Sequence, residues 1–188
     1  MNKAEILRYL RTNSRVQDEQ LLNLIDEEMA LVNNTVKPKS IYGIFDCTVT
    51  EDTLVIGDFQ FKSIRLAENL RGCRRVAVMA ATLGTEGDRL LRTYAAEGAR
   101  LVIMQAVLAS KIEEICDGVQ QSIETENNVK TRSRYSPGYY DLDISEQKKI
   151  FSLVEITKRC AITLTDTFQM IPTKSVTAFA GIEEEDRL

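Results

Sequence analysis

The chain has no histidine among its 188 residues. Histidine is the side chain that titrates closest to neutral pH and the commonest metal ligand, so its absence removes the usual general base. It also excludes a Ser-His-Asp triad or a Cys-His pair within the chain. Any chemistry must therefore use carboxylates, lysine, tyrosine or cysteine, or belong to a cofactor or a partner protein.

Other features are missing as well. The cysteines form no CxxC pair, which argues against a zinc ribbon or a thioredoxin-like redox site. No apolar run approaches the roughly 20 residues that a membrane helix needs. Residues 1–5 lead into an amphipathic pattern and not into the apolar core of a signal peptide. We therefore expect a cytoplasmic protein with reduced thiols.

What is present is typical of one soluble globular domain. Hydrophobic residues make up 44% of the chain and charged residues 28%, so a packed core can form. The net charge of -4 argues against broad affinity for nucleic acid or an anionic membrane, because both require a basic face. We therefore expect neither as a partner.

The N-terminal segment has the pattern of a helical arm. Apolar residues recur at helical spacing from Ile6, and after a polar break at residues 12–14 a second amphipathic stretch begins, for which Asp18 is a suitable N-cap. We therefore predict a helical arm over residues 1–35, packed on a single α+β body over residues 36–188.

A β-rich stretch follows the arm. Residues 41–49 and 53–56 are rich in β-branched and aromatic side chains, and the polar pair Glu51-Asp52 lies between them. This pattern predicts a hairpin, with residues 58–61 continuing the second strand.

The next segment combines a short helix, a strand and a glycine loop. Ser63 is a suitable N-cap for a helix that ends near Gly72, and the apolar run 74–81 predicts a buried strand. Two interpretations are open for residues 82–87. The glycines either let backbone N–H groups surround an anion or a ligand carboxylate, or simply form a tight turn.

The longest periodic segment covers residues 98–123, where apolar side chains fall on one helical stripe. This pattern predicts the central core helix. Glu114 lies beside the stripe, where it is either a pocket carboxylate or a carboxylate on the rim. The polar residues 124–132 then predict a loop.

The C-terminal part completes the fold prediction. Ser145 is a candidate N-cap for another helix, and residues 162–168 and 175–180 predict two strands joined through Pro172. Strands and helices alternate without regular βαβ repetition, which indicates an α+β fold. We expect a central, largely antiparallel twisted sheet flanked by helices.

The most informative segment is Arg134-Tyr135-Ser136-Pro137-Gly138-Tyr139. Proline and glycine set a rigid, sharply turned backbone whose N–H and C=O groups can face a ligand. The guanidinium suits a carboxylate, and a tyrosine face attracts a positive centre such as a sulfonium. Tyr139 and the following Tyr140 supply two such faces. A surface turn with an exposed arginine and these two tyrosines packed on the protein is the alternative interpretation.

The downstream sequence favours a binding turn. A helix start at Glu146, the segment 164–172 and the strand Ser175-Val176-Thr177 follow in that order. Residues 134–179 thereby resemble the activation domain of cobalamin-dependent methionine synthase, in order and in spacing. Residues 101–123 fit that family more loosely, and residues 1–100 show no match that the sequence alone supports.

The resemblance implies a role for each part of the motif. Arg134 would bind the methionyl carboxylate of S-adenosylmethionine, and the backbone of residues 135–138 would hold the amino-acid and adenosine parts. Tyr139 would lie close to the sulfonium and face the corrinoid. Residues 175–177 would hold the adenine edge, and Glu114 corresponds to an acidic residue near the ligand.

Two departures from the family pattern are visible. The family's early aspartate, which anchors the ligand's amino group, has no clear counterpart, and Asp46 and Asp58 are the candidates. The chain also ends soon after residues 175–177, where full-length enzymes continue. We therefore expect a pocket that is either incomplete or closed by other residues.

The resemblance implies a reactivation module that is not catalytic alone. In the family, the domain delivers the methyl group of S-adenosylmethionine to cob(II)alamin, which a flavodoxin- or ferredoxin-type donor reduces by one electron. The partner supplies the cobalamin, so no proton-transfer residue is required. Because the chain is short and has no cobalamin-module histidine motif, we expect it to act in trans on a separate corrinoid-binding methionine synthase.

Two alternatives belong to other classes. The chain could be a degenerate, non-catalytic interaction module for a corrinoid methyl-transfer protein. An independent methyltransferase is less favoured, because the glycine loop at residues 82–87 lacks the usual signature of that class.

Overall fold

The computed structural model describes residues 1–12 and 18–183, so the predicted break at 12–14 falls largely outside the described residues. The helices are α1 (Lys3–Tyr9), α2 (Glu19–Thr35), α3 (Ile64–Asn69), α4 (Thr85–Thr93), α5 (Gly98–Asn127), α6 (Gln147–Leu153) and α7 (Ile156–Cys160), with a 3-10 turn over Ile144–Glu146. The strands are β1 (Lys39–Asp46), β2 (Thr48–Val49), β3 (Thr53–Ile56), β4 (Phe59–Lys62), β5 (Arg75–Thr82), β6 (Lys130–Thr131), β7 (Thr163–Leu164), β8 (Met170–Ile171) and β9 (Ser175–Glu183).

The central sheet has the strand order β1-β5-β9-β6, and each neighbouring pair is antiparallel. Strands β2, β3 and β4 form a separate small sheet, and β7 pairs with β8. The α+β fold class with an antiparallel central sheet flanked by helices is confirmed.

The two faces of the central sheet support two cores. Because side chains alternate along a strand, β5 contributes Ala77 and Met79 to one core and Val76 and Val78 to the other. The first core lies under α5, and the buried residues of α1 and α2 join it there. The second lies under β3, β4, α3, α6 and α7. The N-terminal helices therefore pack on the body, while the boundary at residue 35 stays a prediction.

The predicted hairpin differs from the structure at both ends. The predicted strand 41–49 is two strands, because the chain leaves the central sheet after the Cys47 N–H donates to the Arg74 carbonyl (2.8 Å). Residues 58–61 do not continue β3. Gly57 has a positive φ of 54° and reverses the chain, so Phe59 begins the antiparallel strand β4.

The prediction of a loop over residues 124–132 was wrong, because α5 continues to Asn127 and is followed by β6. Asn128 ends the helix in the left-handed conformation (φ 49°). The carboxylate of Glu124 then accepts hydrogen bonds from the N–H and the hydroxyl of Thr131 (2.9 and 2.7 Å). A polar side chain therefore fastens β6 to the helix.

Two predictions near the C-terminus also need correction. The N-cap is Asp143 and not Ser145, since the Asp143 carboxylate accepts from the Ser145 N–H (2.8 Å) and begins the 3-10 turn. The strand predicted over 162–168 is only Thr163–Leu164. It ends in a turn where the Phe168 N–H donates to the Thr165 carbonyl (3.0 Å).

The glycine loop at residues 82–87 forms a tight turn at the start of α4. Gly84 has a positive φ of 77°, and its N–H donates to the Thr82 hydroxyl (3.1 Å). With a ψ of -179° as well, this backbone conformation strongly favours glycine. The described part of the chain contains no helix with the length and hydropathy needed to cross a bilayer.

Candidate functional site

The segment 134–139, called the motif turn below, lies beside the central sheet, between β6 and the 3-10 turn. Tyr135 forms a two-hydrogen-bond bridge with Phe179 of β9 (2.9 and 2.8 Å). Gly138 follows with a positive φ of 87°, and its N–H donates to the Leu142 carbonyl (2.8 Å). A Cβ on Gly138 would lie 3.1 Å from the Ile144 side chain. Conformation and packing therefore both favour glycine at this position.

Arg134 is held by polar side chains of α5. Its Nη1 donates to Gln120 Oε1 (2.8 Å), and its Nη2 lies 3.0 Å from a Glu113 oxygen and 2.8 Å from an Asp117 oxygen. These three α5 residues are spaced i, i+4 and i+7, which places them on one face of the helix. The arginine side chain is 19% exposed, so the guanidinium is fixed and still reachable.

The charges around Arg134 do not cancel. Burial disfavours the charged guanidinium, but the hydrogen bond that it donates to Asp117 and the negative charges nearby outweigh burial and leave the pKa of Arg134 raised. Two carboxylates face one guanidinium, so this end of the site carries a net negative charge. It can therefore hold an anionic group and a cationic group of one ligand at the same time.

A cavity of about 650 Å³ opens at this cluster. It is bounded by α5, the motif turn, the N-terminus of α6 and the start of β9. The predicted site residues that line it are Arg134, Tyr135, Ser136, Pro137, Tyr139, Ser175, Val176 and Thr177. Gly138 shapes the turn. The structure therefore brings together two segments that lie some 40 positions apart in the sequence.

Glu114 lies outside this cavity. Its carboxylate accepts hydrogen bonds from the N-terminal amine of Met1 (2.9 Å) and from Lys111 (3.1 Å), and it borders a different groove, next to β1. Burial opposes ionisation of Glu114, but these two cations outweigh it and lower its pKa. The acidic residue at the cavity is the preceding one, Glu113. Asp46 and Asp58, the candidates for an amino-group anchor, do not line the cavity either.

Sequence reasoning missed several lining residues. They are Glu113, Asp117, Gln120, Ser133, Ile144, Gln147 and Met170. The i, i+4, i+7 spacing of the first three was a usable signal for a polar stripe on α5. No comparable pattern marks the others, because their position depends on how the turn packs against α6 and β8.

The floor of the cavity is a hydrogen-bonded part of β9. The Ser175 hydroxyl contacts the Thr82 hydroxyl (2.7 Å) and the Pro172 carbonyl (2.6 Å). The Thr177 hydroxyl donates to Gln147 Oε1 (2.7 Å). Asp88 of α4 fixes the preceding turn by accepting from the Thr173 N–H (3.1 Å). The floor is therefore built before any ligand arrives.

The rim of the cavity exposes large apolar surface. Tyr139 is 65% exposed and Tyr140 is 86% exposed, and Ile144 is also among the exposed large hydrophobic side chains that line the cavity. The rings of Tyr135 and Tyr140 stack with centroids 6.3 Å apart. An exposed apolar cluster beside a cavity indicates an interaction surface.

Asp141 anchors the motif turn to α3. Its carboxylate accepts from the Ser63 hydroxyl (2.6 Å) and from the Ile64 N–H (2.7 Å), so it supports the predicted N-cap Ser63 at the start of a helix that lies far away in the sequence. The hydrogen bond from Ser63 lowers the pKa of Asp141, and hydrogen bonds from backbone N–H groups, that of Ile64 first, add to this against partial desolvation.

Asp141→Ala is expected to lower the melting temperature by about 2–4 °C at neutral pH. The folded-state pKa is below the ordinary value of 3.8, so this stabilisation is complete above that value and is lost as the pH falls through the lowered pKa. Thermal melts of Asp141→Ala against Asp58→Ala, a turn aspartate outside the site, give the comparison. Equal melting temperatures for the two variants at pH 7 would remove Asp141 as an anchor.

Comparison with known protein families assigns the chain to one of them. Residues 74–187 match the family described as vitamin B12 dependent methionine synthase, activation domain. This chain belongs to that family. The resemblance carried by residues 134–179 is confirmed, and the match begins about 60 residues earlier than sequence reading had placed it.

A solved structure agrees with this assignment. The crystal structure of the MetH reactivation domain bound to AdoHcy is similar, with a TM-score of 0.69 and 16% sequence identity, over 96% of this chain and 70% of that one. At this identity the likeness shows the shared fold. Comparison with curated protein sequences gives no match.

Proposed function

We propose that this chain binds S-adenosylmethionine in the cavity at Arg134 and serves as the reactivation module for a corrinoid-binding methionine synthase. The observation that carries the proposal is the charged end of the cavity, where one guanidinium faces two carboxylates. The AdoHcy bound by the similar MetH domain supports a ligand of this class.

The charge pattern suits the amino-acid end of S-adenosylmethionine. The ligand carries a carboxylate, an ammonium group and a sulfonium, with a net positive charge. Arg134 would bind the carboxylate in a charge-assisted pair. Glu113 and Asp117, which now contact the guanidinium, are placed to receive the ammonium group. They would thereby take the part of the aspartate that the family provides elsewhere.

The size and the rim suit the remaining parts. A volume of about 650 Å³ lies within the usual range of small-molecule pockets, which is roughly 300–1,000 Å³. Tyr139 at the rim offers a ring face to the sulfonium. The exposed rings of Tyr139 and Tyr140 give an apolar surface on which a corrinoid partner could dock.

The cofactors supply the methyl group and the one-electron chemistry. The residues of this chain supply placement: Arg134 and the α5 carboxylates hold the amino-acid end, and the turn at Gly138 directs Tyr139 to the rim. Placement of two bound groups makes their reaction effectively unimolecular. This role needs no proton-transfer residue, which agrees with a chain that has no histidine.

Calorimetric titration of the purified chain with S-adenosylmethionine tests the binding part. We expect saturable heat with one site per chain and a matching rise in melting temperature. No heat and no thermal shift at millimolar ligand would overturn the proposal.

Action in trans needs a separate assay. The assay uses a methionine synthase that lacks its own activation module and whose cobalamin is in the cob(II)alamin state. This enzyme is mixed with the chain, S-adenosylmethionine and a reduced flavodoxin- or ferredoxin-type donor. We expect the visible spectrum to change to that of methylcobalamin, and Arg134→Ala to slow the change at ligand concentrations that just saturate the native chain. Ligand binding without any spectral change would refute the trans role. Capture of the corrinoid protein without ligand binding would favour the non-catalytic interaction module.

Two variants of Tyr139 separate the contribution of its ring to ligand affinity from that of its hydroxyl group. Tyr139→Ala is expected to weaken S-adenosylmethionine binding about 2- to 5-fold, because an exposed cation–π contact contributes about 0.5–1 kcal/mol. Tyr139→Phe keeps the ring face and should retain the native affinity. Calorimetry on both variants measures the difference. Equal affinities for Tyr139→Ala and the native chain would exclude a ring–sulfonium contact.

A further inference from the structure

Gln147 is a buried polar side chain at the floor of the cavity. It is 2% exposed, and Thr177, its hydrogen-bond partner, is 1% exposed. The resemblance that identified residues 134–139 and 175–177 attaches no role to Gln147. A buried amide is costly unless each of its polar atoms has a partner.

The protein forms a hydrogen bond with the oxygen of this amide and leaves its nitrogen for a ligand. The Thr177 hydroxyl donates to Oε1 (2.7 Å), which fixes the amide so that the two N–H bonds of Nε2 point away from Thr177. Within residues 1–12 and 18–183, no protein acceptor takes these hydrogens, and Nε2 is not among the fully enclosed atoms that lack a partner. Since Gln147 lines the cavity, its amide nitrogen is open to the cavity.

The position of this donor relative to Arg134 indicates which part of a ligand it meets. Tyr135 pairs with Phe179 in an antiparallel bridge. The two segments run in opposite directions, so residues that precede the bridge on one segment lie opposite residues that follow it on the other. Arg134 precedes Tyr135 and Thr177 precedes Phe179, so Arg134 and Thr177 lie on opposite sides of the bridge. A ligand whose amino-acid end is at Arg134 therefore has its other end near Gln147.

The surroundings of that end suit a flat heterocycle. Pro137, Ile144 and Met170 are apolar residues that line the cavity, and Met170 packs against the second core, below α6. Apolar side chains accept the faces of a ring, and a donor at the edge fixes its orientation. An adenine edge offers ring nitrogens that accept hydrogen bonds.

We infer that Gln147 recognises the adenine ring of the ligand by donating a hydrogen bond from its amide nitrogen to a ring nitrogen. Thr177 acts through Gln147 as a positioning residue, because it holds the amide in the donating orientation. This inference rests on the proposed function and names the specificity-determining residue for the nucleobase.

The test combines ligand and protein changes. Affinities are measured for S-adenosylhomocysteine and for its 1-deaza, 3-deaza and 7-deaza analogues, in which one ring nitrogen is replaced by C–H. The native chain should bind one analogue about 10-fold more weakly than the parent, as expected for the loss of one buried hydrogen bond. Gln147→Met should bind the parent about 10-fold more weakly and should no longer distinguish that analogue.

A second variant covers the case in which Gln147→Met does not fold. Gln147→Glu has the same shape and keeps an acceptor for Thr177. At a pH where this carboxyl group is ionised it cannot donate, so discrimination should again be lost. Native-like discrimination in either folded variant, or equal affinity of the native chain for the parent and all three analogues, would overturn the inference while leaving the proposed function intact. Failure of the native chain to bind the parent would overturn both.

Discussion

Arg134→Ala is expected to weaken S-adenosylmethionine binding on the order of 10- to 100-fold. A hydrogen bond to a charged group contributes about 1.5–3 kcal/mol, and each 1.4 kcal/mol is a factor of ten in affinity. The guanidinium is held by Glu113, Asp117 and Gln120, so its position is set before the ligand binds and little conformational entropy is lost on binding.

The control for this variant is Arg65→Ala. Arg65 pairs with Glu68 on the exposed side of α3 and does not line the cavity. Its removal should leave the affinity within twofold of the native value, since exposed ion pairs contribute little. Arg134→Lys should recover only part of the affinity, because an ammonium cannot form two parallel hydrogen bonds with a carboxylate. Native affinity for Arg134→Ala in calorimetry would remove this residue from the site.

Arg100→Ala is expected to lower the melting temperature by on the order of 10 °C. Its Nε donates to Glu28 Oε1, its guanidinium lies 4.6 Å from the centre of the Tyr94 ring, and Glu28 is fully buried on α2. The other Glu28 oxygen has no hydrogen-bond partner. Loss of Arg100 leaves a buried carboxylate with no cation to balance it, which is why the expected effect is large.

The double variant Glu28→Leu/Arg100→Ala isolates the cause. Replacement of a buried ion pair by apolar residues is often close to neutral, so the double variant should regain most of the lost stability. Arg8→Ala, which breaks an exposed pair with Glu5, should change the melting temperature by no more than about 2 °C. The measurement is the melting temperature of the native chain, Arg100→Ala, the double variant and Arg8→Ala. A double variant as unstable as Arg100→Ala would show that the effect comes from lost packing and not from an unpaired charge.

The periodic parts of the fold could be predicted from the sequence. The apolar runs of β5 and β9 and the helical stripe of α5 are local patterns, and the structure contains each element. The Asp18 cap was also correct, since its carboxylate accepts from the N–H groups of Gln20 and Leu21. These features depend on neighbouring residues alone, so one sequence is enough to see them.

The missed features depend on contacts between distant segments. Adjacent helical positions differ by about 100°, so the choice between Glu113 and Glu114 requires knowing which face of α5 meets the motif turn. The pairing of Asp141 with Ser63 joins positions 78 residues apart. The motif itself was visible, but no local pattern links it to the α5 side chains that complete its charge pattern.

The most direct test is a crystal structure of this chain with S-adenosylmethionine or S-adenosylhomocysteine. We predict the amino-acid carboxylate on the Arg134 guanidinium, the ammonium group against Glu113 or Asp117, and the nucleobase over Thr177. A ligand bound at any other place, or a cavity at Arg134 that stays empty at saturating ligand, would contradict the account.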